Sequence, residues 1–249
     1  MSQAAIKRRM RSDHIRDPRE LPNYRLPEAA HYLRIPESTL RTWIFGQGSV
    51  TAAGRRASQS LITIADEPPP RLSFLNMVEG HVLSGIRYHH RVPLANVRRA
   101  VQYLRQEFSS RHPLAEEQFQ TDGVNLFVER LGLLNVSAPG QFAMREILRA
   151  FLRRIERDER GLAIRLYPLS RRPAVFAARP TLEDSPRLIV IDPHIGFGRP
   201  VLSGTGITTL SIAERFDAGE SIEALARDYG RPQEEIEEAI RCELTRDAA

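Results

Sequence analysis

The amino-acid sequence predicts a mainly helical α+β protein in which small β elements lie between helices. Three observations support this fold class. Two helix-turn-helix patterns lie near the two ends of the chain, a glycine-rich segment follows the first, and short alternating apolar runs occupy the middle. The predicted organisation is a basic arm at 1–22, a helix-turn-helix region with its following helices at 23–112, a mixed α/β region at 113–187 and a trihelical unit at 188–249.

The composition is typical of a soluble globular protein, with 41% hydrophobic and 27% charged residues in a chain of 249. No apolar run approaches the roughly eighteen residues that a membrane span needs, and the charged N-terminus has no hydrophobic segment after it. We therefore expect a cytoplasmic protein with no membrane partner. Cys242 is the only cysteine, which excludes an internal disulfide and a cysteine-based zinc site. No metal or cofactor is predicted.

Charge is distributed unevenly along the chain. The net charge is +5, and Lys7 is the only lysine, so nearly all the cations are guanidinium groups. Arginine suits bidentate contacts to phosphate and guanine, although a bias in genome composition also explains the count. Residues 1–114 carry 18 basic and 9 acidic side chains, whereas residues 209–249 carry 5 basic and 11 acidic ones. We expect a polyanion to be attracted to the first half of the chain and repelled by the C-terminal segment.

The first 22 residues hold several arginines and few apolar anchors. They either lie along DNA as a basic arm or form an untethered polar terminus. After Tyr24 the pattern becomes regular. Pro27–Leu33 starts with a first-turn proline and an acid, as helix N-termini favour, and Arg34-Ile-Pro36 interrupts that helix. A second helix is predicted over Glu37–Ile44, with an apolar face made of Leu40, Trp43 and Ile44.

The stretch from Tyr24 to Gln47 resembles the DNA-binding half of the MerR-like winged-helix family, which places Glu-Ala-Ala in the first helix and a leucine and a tryptophan in the second. The resemblance implies a winged helix-turn-helix whose second helix enters the major groove. The side chains that point away from the apolar face are those of Ser38, Thr39, Arg41 and Thr42. The glycine-rich segment Gly46–Ala57 is suited to a wing and carries Arg55 and Arg56. The arginines either contact DNA or form a solvated basic surface.

Helices and short strands are predicted for the middle of the chain. Alternating apolar residues predict strands at Ile62–Ile64, Gln118–Gln120, Asn125–Val128 and Leu133–Val136, and a strand pair between Ile164–Tyr167 and Leu188–Ile191. Apolar residues three and four apart predict helices over Leu72–Arg87, Leu94–Phe108 and Met144–Arg157. The sequence contains no nucleotide-binding loop and no nucleophile-elbow motif.

Three well-capped helices are predicted at the C-terminal end. Thr208 or Thr209 caps a helix that runs to about Asp217, and Ser221 caps a second helix that ends at Gly230. Pro232 begins the third, with acidic residues in its first turn. Apolar residues at helical spacing on all three indicate a compact trihelical unit.

The segment Gly198–Ile207, with the capping signals after it, resembles a small trihelical family that recurs in bacterial toxin-antitoxin operons. Where that family's pattern has an arginine before the isoleucine, this chain has Gly206. Arg199 remains, and it either supports the turn or meets a partner. Together with the MerR-like N-terminus, the arrangement resembles the larger VapB-type antitoxins, which implies operator DNA and a PIN-domain ribonuclease toxin as partners. A homodimer is expected, because helix-turn-helix proteins gain affinity from paired half-sites.

The last predicted helix is rich in glutamate. Its acidic residues are Glu234, Glu235, Glu237, Glu238 and Glu243. A DNA-reading helix of this charge would be repelled by phosphates, so we expect Glu234, Glu235 and Glu238, with Arg199, to form a dimer or partner surface. A solvated acidic face is the alternative. For the whole chain, the alternative to a DNA-binding antitoxin is a protein-interaction module that does not bind DNA.

An enzyme is not expected. The Asp192-Pro-His194 segment offers an acid and a base close together, but no second carboxylate or nucleophile lies nearby in the sequence. Asp192 is better suited to capping a turn.

Overall fold

The structure is a computed structural model of the 249-residue chain. It describes residues 17–46, 48–51, 54–57, 59–64, 69–89, 93–124, 127, 138–168 and 186–244. Within these ranges only the backbone is described at 48–51, 54–57, 87–89, 121–122 and 138–143. The described chain consists of helices separated by short antiparallel strand pairs, so the predicted α+β class is confirmed. Most of the predicted basic arm lies outside the described residues.

The α-helices are α1 (Leu26–Tyr32), α2 (Glu37–Phe45), α3 (Phe74–His89), α4 (Leu94–Glu107), α5 (Ala138–Leu152), α6 (Thr209–Asp217), α7 (Ile222–Tyr229) and α8 (Gln233–Leu244). The strands are β1 (Tyr24–Arg25), β2 (Gly48–Thr51), β3 (Gly54–Ala57), β4 (Arg71–Leu72), β5 (Ile155–Arg157), β6 (Ala163–Leu166), β7 (Ile189–Val190) and β8 (Val201–Leu202). They form the antiparallel pairs β1–β4, β2–β3, β5–β6 and β7–β8.

Helices α1 and α2 form the helix-turn-helix that the sequence predicts. A Schellman turn ends α1: the N–H of Ile35 donates to Ala30 O at 3.1 Å, and the N–H of Arg34 donates to His31 O at 3.0 Å. Arg34 occupies the left-handed position of this turn, with φ of 56°. Helix α2 then buries its predicted apolar face, made of Leu40, Trp43 and Ile44.

Helix α3 is the central helix of the hydrophobic core. Its predicted inward residues Phe74, Met77, Val78 and Val82 are all buried, and it packs against α5. The absence of a side chain at Gly85 permits this approach, since a Cβ there would lie 2.9 Å from the Phe151 ring. Helix α4 buries its predicted residues Val97, Val101 and Leu104 against the same core.

Two of the predicted strands are wrong. The strand predicted at Gln118–Gln120 is replaced by a turn of π-helix at Phe119–Gly123, in which the buried Phe119 ring packs edge-on against Phe127 with centroids 5.7 Å apart. Residues 62–64 form no strand either: the N–H of Ile62 donates to Trp43 O at 3.1 Å, and the Ile62 side chain is buried. The other two predicted strands of the meander fall almost entirely outside the described residues.

Two further predictions for the middle region are only partly right. The helix predicted to reach Arg157 ends at Leu152, and Ile155 instead pairs with Leu166 in the β5–β6 hairpin. The predicted pairing of 164–167 with 188–191 is reduced to one bridge between Leu166 and Ile191, because β7 takes β8 as its partner.

The three C-terminal helices follow the prediction closely. The Thr208 hydroxyl accepts the N–H of Ser211 at 3.2 Å, and the Ser221 hydroxyl accepts the N–H of Ala224 at 3.2 Å, so α6 and α7 begin at their predicted caps. Gly230 ends α7 in the left-handed conformation, with φ of 62°. One buried hydrophobic cluster runs from Tyr24 in β1 to Cys242 in α8, so these helices share a core with the N-terminal helices.

Candidate nucleic-acid interface

Helix α2 has two faces of opposite character. Leu40, Trp43 and Ile44 are buried, whereas the predicted DNA-facing residues lie on the outer side. Ser38 and Arg41 are exposed, and Thr39 and Thr42 are half-buried. The structure therefore brings three hydroxyl groups and one guanidinium group together on the outer strip of the second helix, where a helix-turn-helix makes its base contacts.

Arg41 is held by a carboxylate of its own helix. Its Nη2 lies 2.8 Å from Glu37 Oε1, and the two side chains are 59% and 41% exposed. An exposed ion pair of this i,i+4 kind contributes only about 0.3–0.5 kcal/mol, so a phosphate or a guanine can compete for the guanidinium at little cost. The Thr42 hydroxyl donates to Ser38 O at 2.9 Å, which leaves its oxygen able to accept a further hydrogen bond.

The predicted wing is a β-hairpin made of β2 and β3. In its register Val50 is opposite Arg55, and Ser49 is opposite Arg56. The side chains of Arg55 and Arg56 lie outside the described residues, so their contact with DNA remains a prediction from the sequence.

The chain after the hairpin is tied to α2 and α4. The N–H groups of Leu61 and Ile62 donate to Trp43 O at 2.7 and 3.1 Å. From α4, Arg105 donates to Leu61 O at 2.6 Å and to Ser60 O at 3.3 Å. These bonds fix the position of α2 relative to the core helices, which pre-organises its outer face.

The C-terminal end of α8 packs directly on α1 and its turn. Arg34 Nη2 donates to Cys242 O at 2.9 Å and to Arg241 O at 3.2 Å, and His31 Nε2 lies 2.9 Å from the same Cys242 oxygen. Cationic and polar groups at a helix C-terminus satisfy its last carbonyls and interact favourably with its dipole. The Cys242 thiol is buried beneath this contact, and burial raises its pKa to about 12. No local sequence signal pointed to this arrangement.

The turn before β8 makes a second contact between the N-terminal and C-terminal parts of the described chain. Tyr24 donates its hydroxyl hydrogen to Gly198 O at 2.7 Å, and Asn23 Nδ2 donates to Phe197 O at 2.6 Å. Arg199 forms an ion pair with Glu28 in the first turn of α1, so it links the turn to the helix-turn-helix. Between these bonds, Phe197 adopts a left-handed conformation with φ of 54°, and its side chain is 91% exposed.

The glutamates of α8 differ in their environments. Glu234 is exposed, and Glu235 is held by a two-pronged contact with Arg231 at 2.6 and 2.9 Å. Glu238, in contrast, is fully buried, with its carboxylate paired with Arg241. The expectation that Glu238 contributes to an exposed surface is therefore wrong, because α8 is covered on that side by the rest of the chain. A partner role for Glu234, Glu235 and Arg199 remains a prediction.

Asp192 has a structural environment. It is 5% exposed, and its Oδ1 accepts the N–H of His194 at 2.8 Å while its Oδ2 accepts from Arg165 Nε at 3.0 Å. These bonds form the turn cap that the sequence suggests. The described part of the chain holds no cluster of three or more metal-ligand side chains. Nor does any helix described in the structure have the length and apolarity needed to cross a membrane.

Fold and surface together define a helix-turn-helix protein with a β-hairpin after the second helix and a trihelical unit packed on the first. A family model described as "Putative DNA-binding HTH domain" matches residues 22–101. A second model, "Protein of unknown function (DUF433)", matches residues 189–241.

The chain is 30% identical over 238 residues to "Putative antitoxin VapB45" of Mycobacterium tuberculosis, a match that covers 89% of this chain and 93% of the relative. The chain therefore belongs to the family of this antitoxin. It is also 27% identical over 225 residues to "Uncharacterized protein Rv2308" of the same organism, with 87% of this chain and 88% of that protein covered.

A solved structure is similar as well. The crystal structure of Rv2018 from Mycobacterium tuberculosis matches with a TM-score of 0.63 and 26% identity, and the match covers 88% of this chain and 98% of that one. An antitoxin relative and a DNA-binding helix-turn-helix model indicate a non-enzymatic regulator.

Proposed function

We propose that this chain is the antitoxin of a type II toxin-antitoxin pair, which represses its own operon by binding operator DNA as a homodimer and neutralises a PIN-domain ribonuclease encoded beside it. The observation that carries the DNA-binding part is the outer face of α2, where Ser38, Arg41 and Thr42 lie at the surface while the opposite face is buried. The antitoxin relative supports the toxin-binding part.

The chemistry of the α2 face suits a duplex. Hydroxyl groups such as those of Ser38 and Thr39 donate to phosphate oxygens, and the Thr42 hydroxyl, which donates to Ser38 O, accepts from a base amino group. An arginine at the centre of the face matches the N7 and O6 acceptors of guanine in the major groove. The β2–β3 hairpin follows α2 in the chain and carries Arg55 and Arg56, and we expect these arginines to add contacts to the DNA backbone. The acidic C-terminal segment disfavours the reverse assignment, because its carboxylates repel phosphates.

Binding of the full-length chain to the DNA upstream of its own gene, measured by fluorescence anisotropy across a salt series, tests the proposal. Arg41→Ala should weaken binding by about ten-fold or more, since a bidentate arginine–guanine contact contributes about 1–3 kcal/mol of discrimination. If Arg41 instead contacts a phosphate, the slope of log K against log salt falls by about 0.9.

Arg149→Ala is the matched control. Arg149 is also a helical, half-exposed arginine with a local carboxylate partner, Glu146, at 2.8 Å. It lies on α5, outside the helix-turn-helix, so its loss should change DNA affinity by less than two-fold. If neither the unmodified protein nor Arg41→Ala binds the operator measurably, the alternative of a protein-interaction module that does not bind DNA is favoured.

Glu37→Gln tests the competition between carboxylate and DNA for Arg41. The substitution removes both the ion pair and a negative charge close to the proposed phosphate contacts. We expect operator affinity to rise several-fold, with the largest effect at low salt, where exposed charges are least screened. Weaker binding would mean that Glu37 positions Arg41 instead of competing for it.

The toxin-binding part is tested separately. The ribonuclease encoded by the adjacent gene is purified, and its cleavage of an RNA substrate is measured as the antitoxin is added. We expect loss of cleavage at a fixed molar ratio, and light scattering of the free antitoxin should give the mass of a dimer. Full ribonuclease activity in the presence of excess antitoxin would refute this part while leaving DNA binding untouched.

A further inference from the structure

A groove is lined by residues of the first helix of the helix-turn-helix and of two C-terminal helices. It has a volume of about 850 Å³ and lies between α1, α6 and α8. Its apolar lining consists of Pro27, Ala30, Ile35, Leu210, Ala213 and Leu244. The groove therefore has the size of a binding cleft, and its lining mixes apolar with charged and polar side chains.

Two leucine side chains in this groove are half-exposed to solvent. Leu210, in the first turn of α6, is 50% exposed, and Leu244, the last residue of α8, is 48% exposed. They are two of the few large apolar side chains among the described residues that remain this exposed. Both lie where an apolar side chain of another molecule would cover them, and the area removed from water would then stabilise the complex.

Carboxylates surround the apolar lining. Glu214 and Asp217 are exposed and lie one turn apart on α6, and Glu243 follows on α8. Glu28 and Glu37 also line the groove, but Glu28 is paired with Arg199 and Glu37 with Arg41, so Glu214 and Asp217 on α6 carry most of the acidic character. The basic lining residues are Arg25 and His31, and His31 is already engaged with Cys242 O.

The charge of the groove restricts its occupant. Nucleic acid is disfavoured, because its phosphates would meet these carboxylates. A second copy of the chain docking groove to groove is disfavoured for the same reason, because two acidic rims would face each other. A cationic segment that presents an apolar side chain would pair with the carboxylates of the groove and would cover its apolar lining.

We propose that this groove binds a basic, apolar-bearing segment of the toxin, so that the toxin contacts α6 and the end of α8 and not the first turn of α8. The proposal rests on the proposed antitoxin function. It locates the docking surface at Leu210, Glu214 and Asp217, whereas the sequence pattern nominates Glu234 and Glu235, which are not among the residues that line the groove. The occupied groove reaches Glu37, the carboxylate that holds Arg41 on the α2 face.

The test uses the full chain and the ribonuclease encoded by the adjacent gene, with the dissociation constant measured by calorimetry at several salt concentrations. The double variant Glu214→Lys/Asp217→Lys replaces attraction by repulsion at two exposed positions and should weaken binding at least ten-fold, with the salt dependence reduced. Leu210→Gln, which keeps the side-chain size, should weaken it about five-fold. The control Glu234→Lys, which reverses one exposed charge outside the groove, should bind within two-fold of the unmodified chain.

Each outcome separates this inference from the proposed function. If the unmodified chain inhibits the ribonuclease and the double variant inhibits it equally well, the groove is not the docking surface and the inference is overturned, although the antitoxin function stands. A stronger effect of Glu234→Lys than of the double variant also overturns it.

Two further readouts address rival occupants. Loss of the dimer in the double variant, seen by light scattering, would assign the groove to a second copy. Tighter ribonuclease binding by a chain that ends at Leu244 would assign it to residues 245–249.

Retained operator binding shows that the double variant is folded. Failure of the unmodified chain to bind the ribonuclease overturns the proposed function, and the inference with it.

Discussion

Arg34 is an unusual residue for the place it occupies, and substitution there should separate two opposing effects. It lies at the left-handed position of the turn after α1, with φ of 56°. Glycine is the residue that such a turn normally prefers, because a side chain there costs about 1 kcal/mol. Arginine is accommodated because its guanidinium reaches the last turn of α8 and donates to Cys242 O and Arg241 O.

Arg34→Ala keeps the backbone strain and removes both hydrogen bonds. Charge-assisted bonds of this kind contribute about 1.5–3 kcal/mol when well buried, and Arg34 is half-buried, so we expect a loss of about 2 kcal/mol in the free energy of unfolding. Arg34→Gly removes the same bonds but relieves about 1 kcal/mol of strain, for a net loss of about 1 kcal/mol. The glycine variant should therefore be the more stable of the two, the reverse of their order in a helix.

Urea denaturation followed by circular dichroism and by the fluorescence of Trp43 measures these differences. For a chain of this size the expected losses correspond to falls in Tm of about 4–8 °C for alanine and about 2–4 °C for glycine. A second assay follows the buried Cys242 thiol, whose labelling rate should rise about ten-fold or more in Arg34→Ala, because α8 opens more often. Equal stability of the two variants would refute the strain argument, and unchanged labelling of Cys242 would refute the role of Arg34 at the end of α8.

Three further predictions follow from described contacts. Phe197→Gly should raise the free energy of unfolding by about 1 kcal/mol, because it removes the strain of the left-handed backbone while the exposed ring contributes little to the core. A fall in the free energy of unfolding would mean that the ring packs on the protein in solution. Burial lowers the pKa of His81 to about 3, and its Nε2 is bonded to Phe151 O at 3.1 Å. Between about pH 6.5 and pH 3 the unfolded chain therefore binds a proton that the folded chain does not. The free energy of unfolding should fall as the pH drops through that window. His81→Gln, which keeps a donor, should flatten the curve of urea midpoint against pH, and an unchanged curve would contradict the assignment. Arg154→Met should cost about 3 kcal/mol or more in urea denaturation, because it leaves the buried oxygens of Tyr167, Pro168 and Pro186 without their donor; a loss below 1 kcal/mol would show that these oxygens find water.

Local signals account for what the sequence predicted well. The starts of α6 and α7 depend on the hydroxyls of Thr208 and Ser221, which bond within three residues, and the end of α7 depends on the left-handed conformation of Gly230. The two faces of α2 follow from apolar spacing within nine residues. Such features need no knowledge of the rest of the chain.

The failures have tertiary causes. Asp122-Gly123 has the composition of a hairpin turn, but the glycine is needed because a Cβ there would lie 2.8 Å from the Phe119 ring. Burial of Glu238 depends on α6, α7, β7 and β8, which pack against α8, and its charge acts on the buried Arg154 as well as on Arg241. The groove likewise exists only because α1, α6 and α8, which are far apart in the sequence, line the same cleft. Periodicity carries no information on such meetings.

The contact between Arg34 and the last turn of α8 couples the stability of the helix-turn-helix to that of the C-terminal helix. A protease that trims the molecule from its carboxyl end into α8 would withdraw the support beneath α1 and its turn. The helix-turn-helix proposed to read DNA would then lose packing contacts. The proposed toxin groove would lose the lining residues that α8 supplies. One proteolytic event would thus free a bound toxin and lift repression together, with no separate signal needed for either.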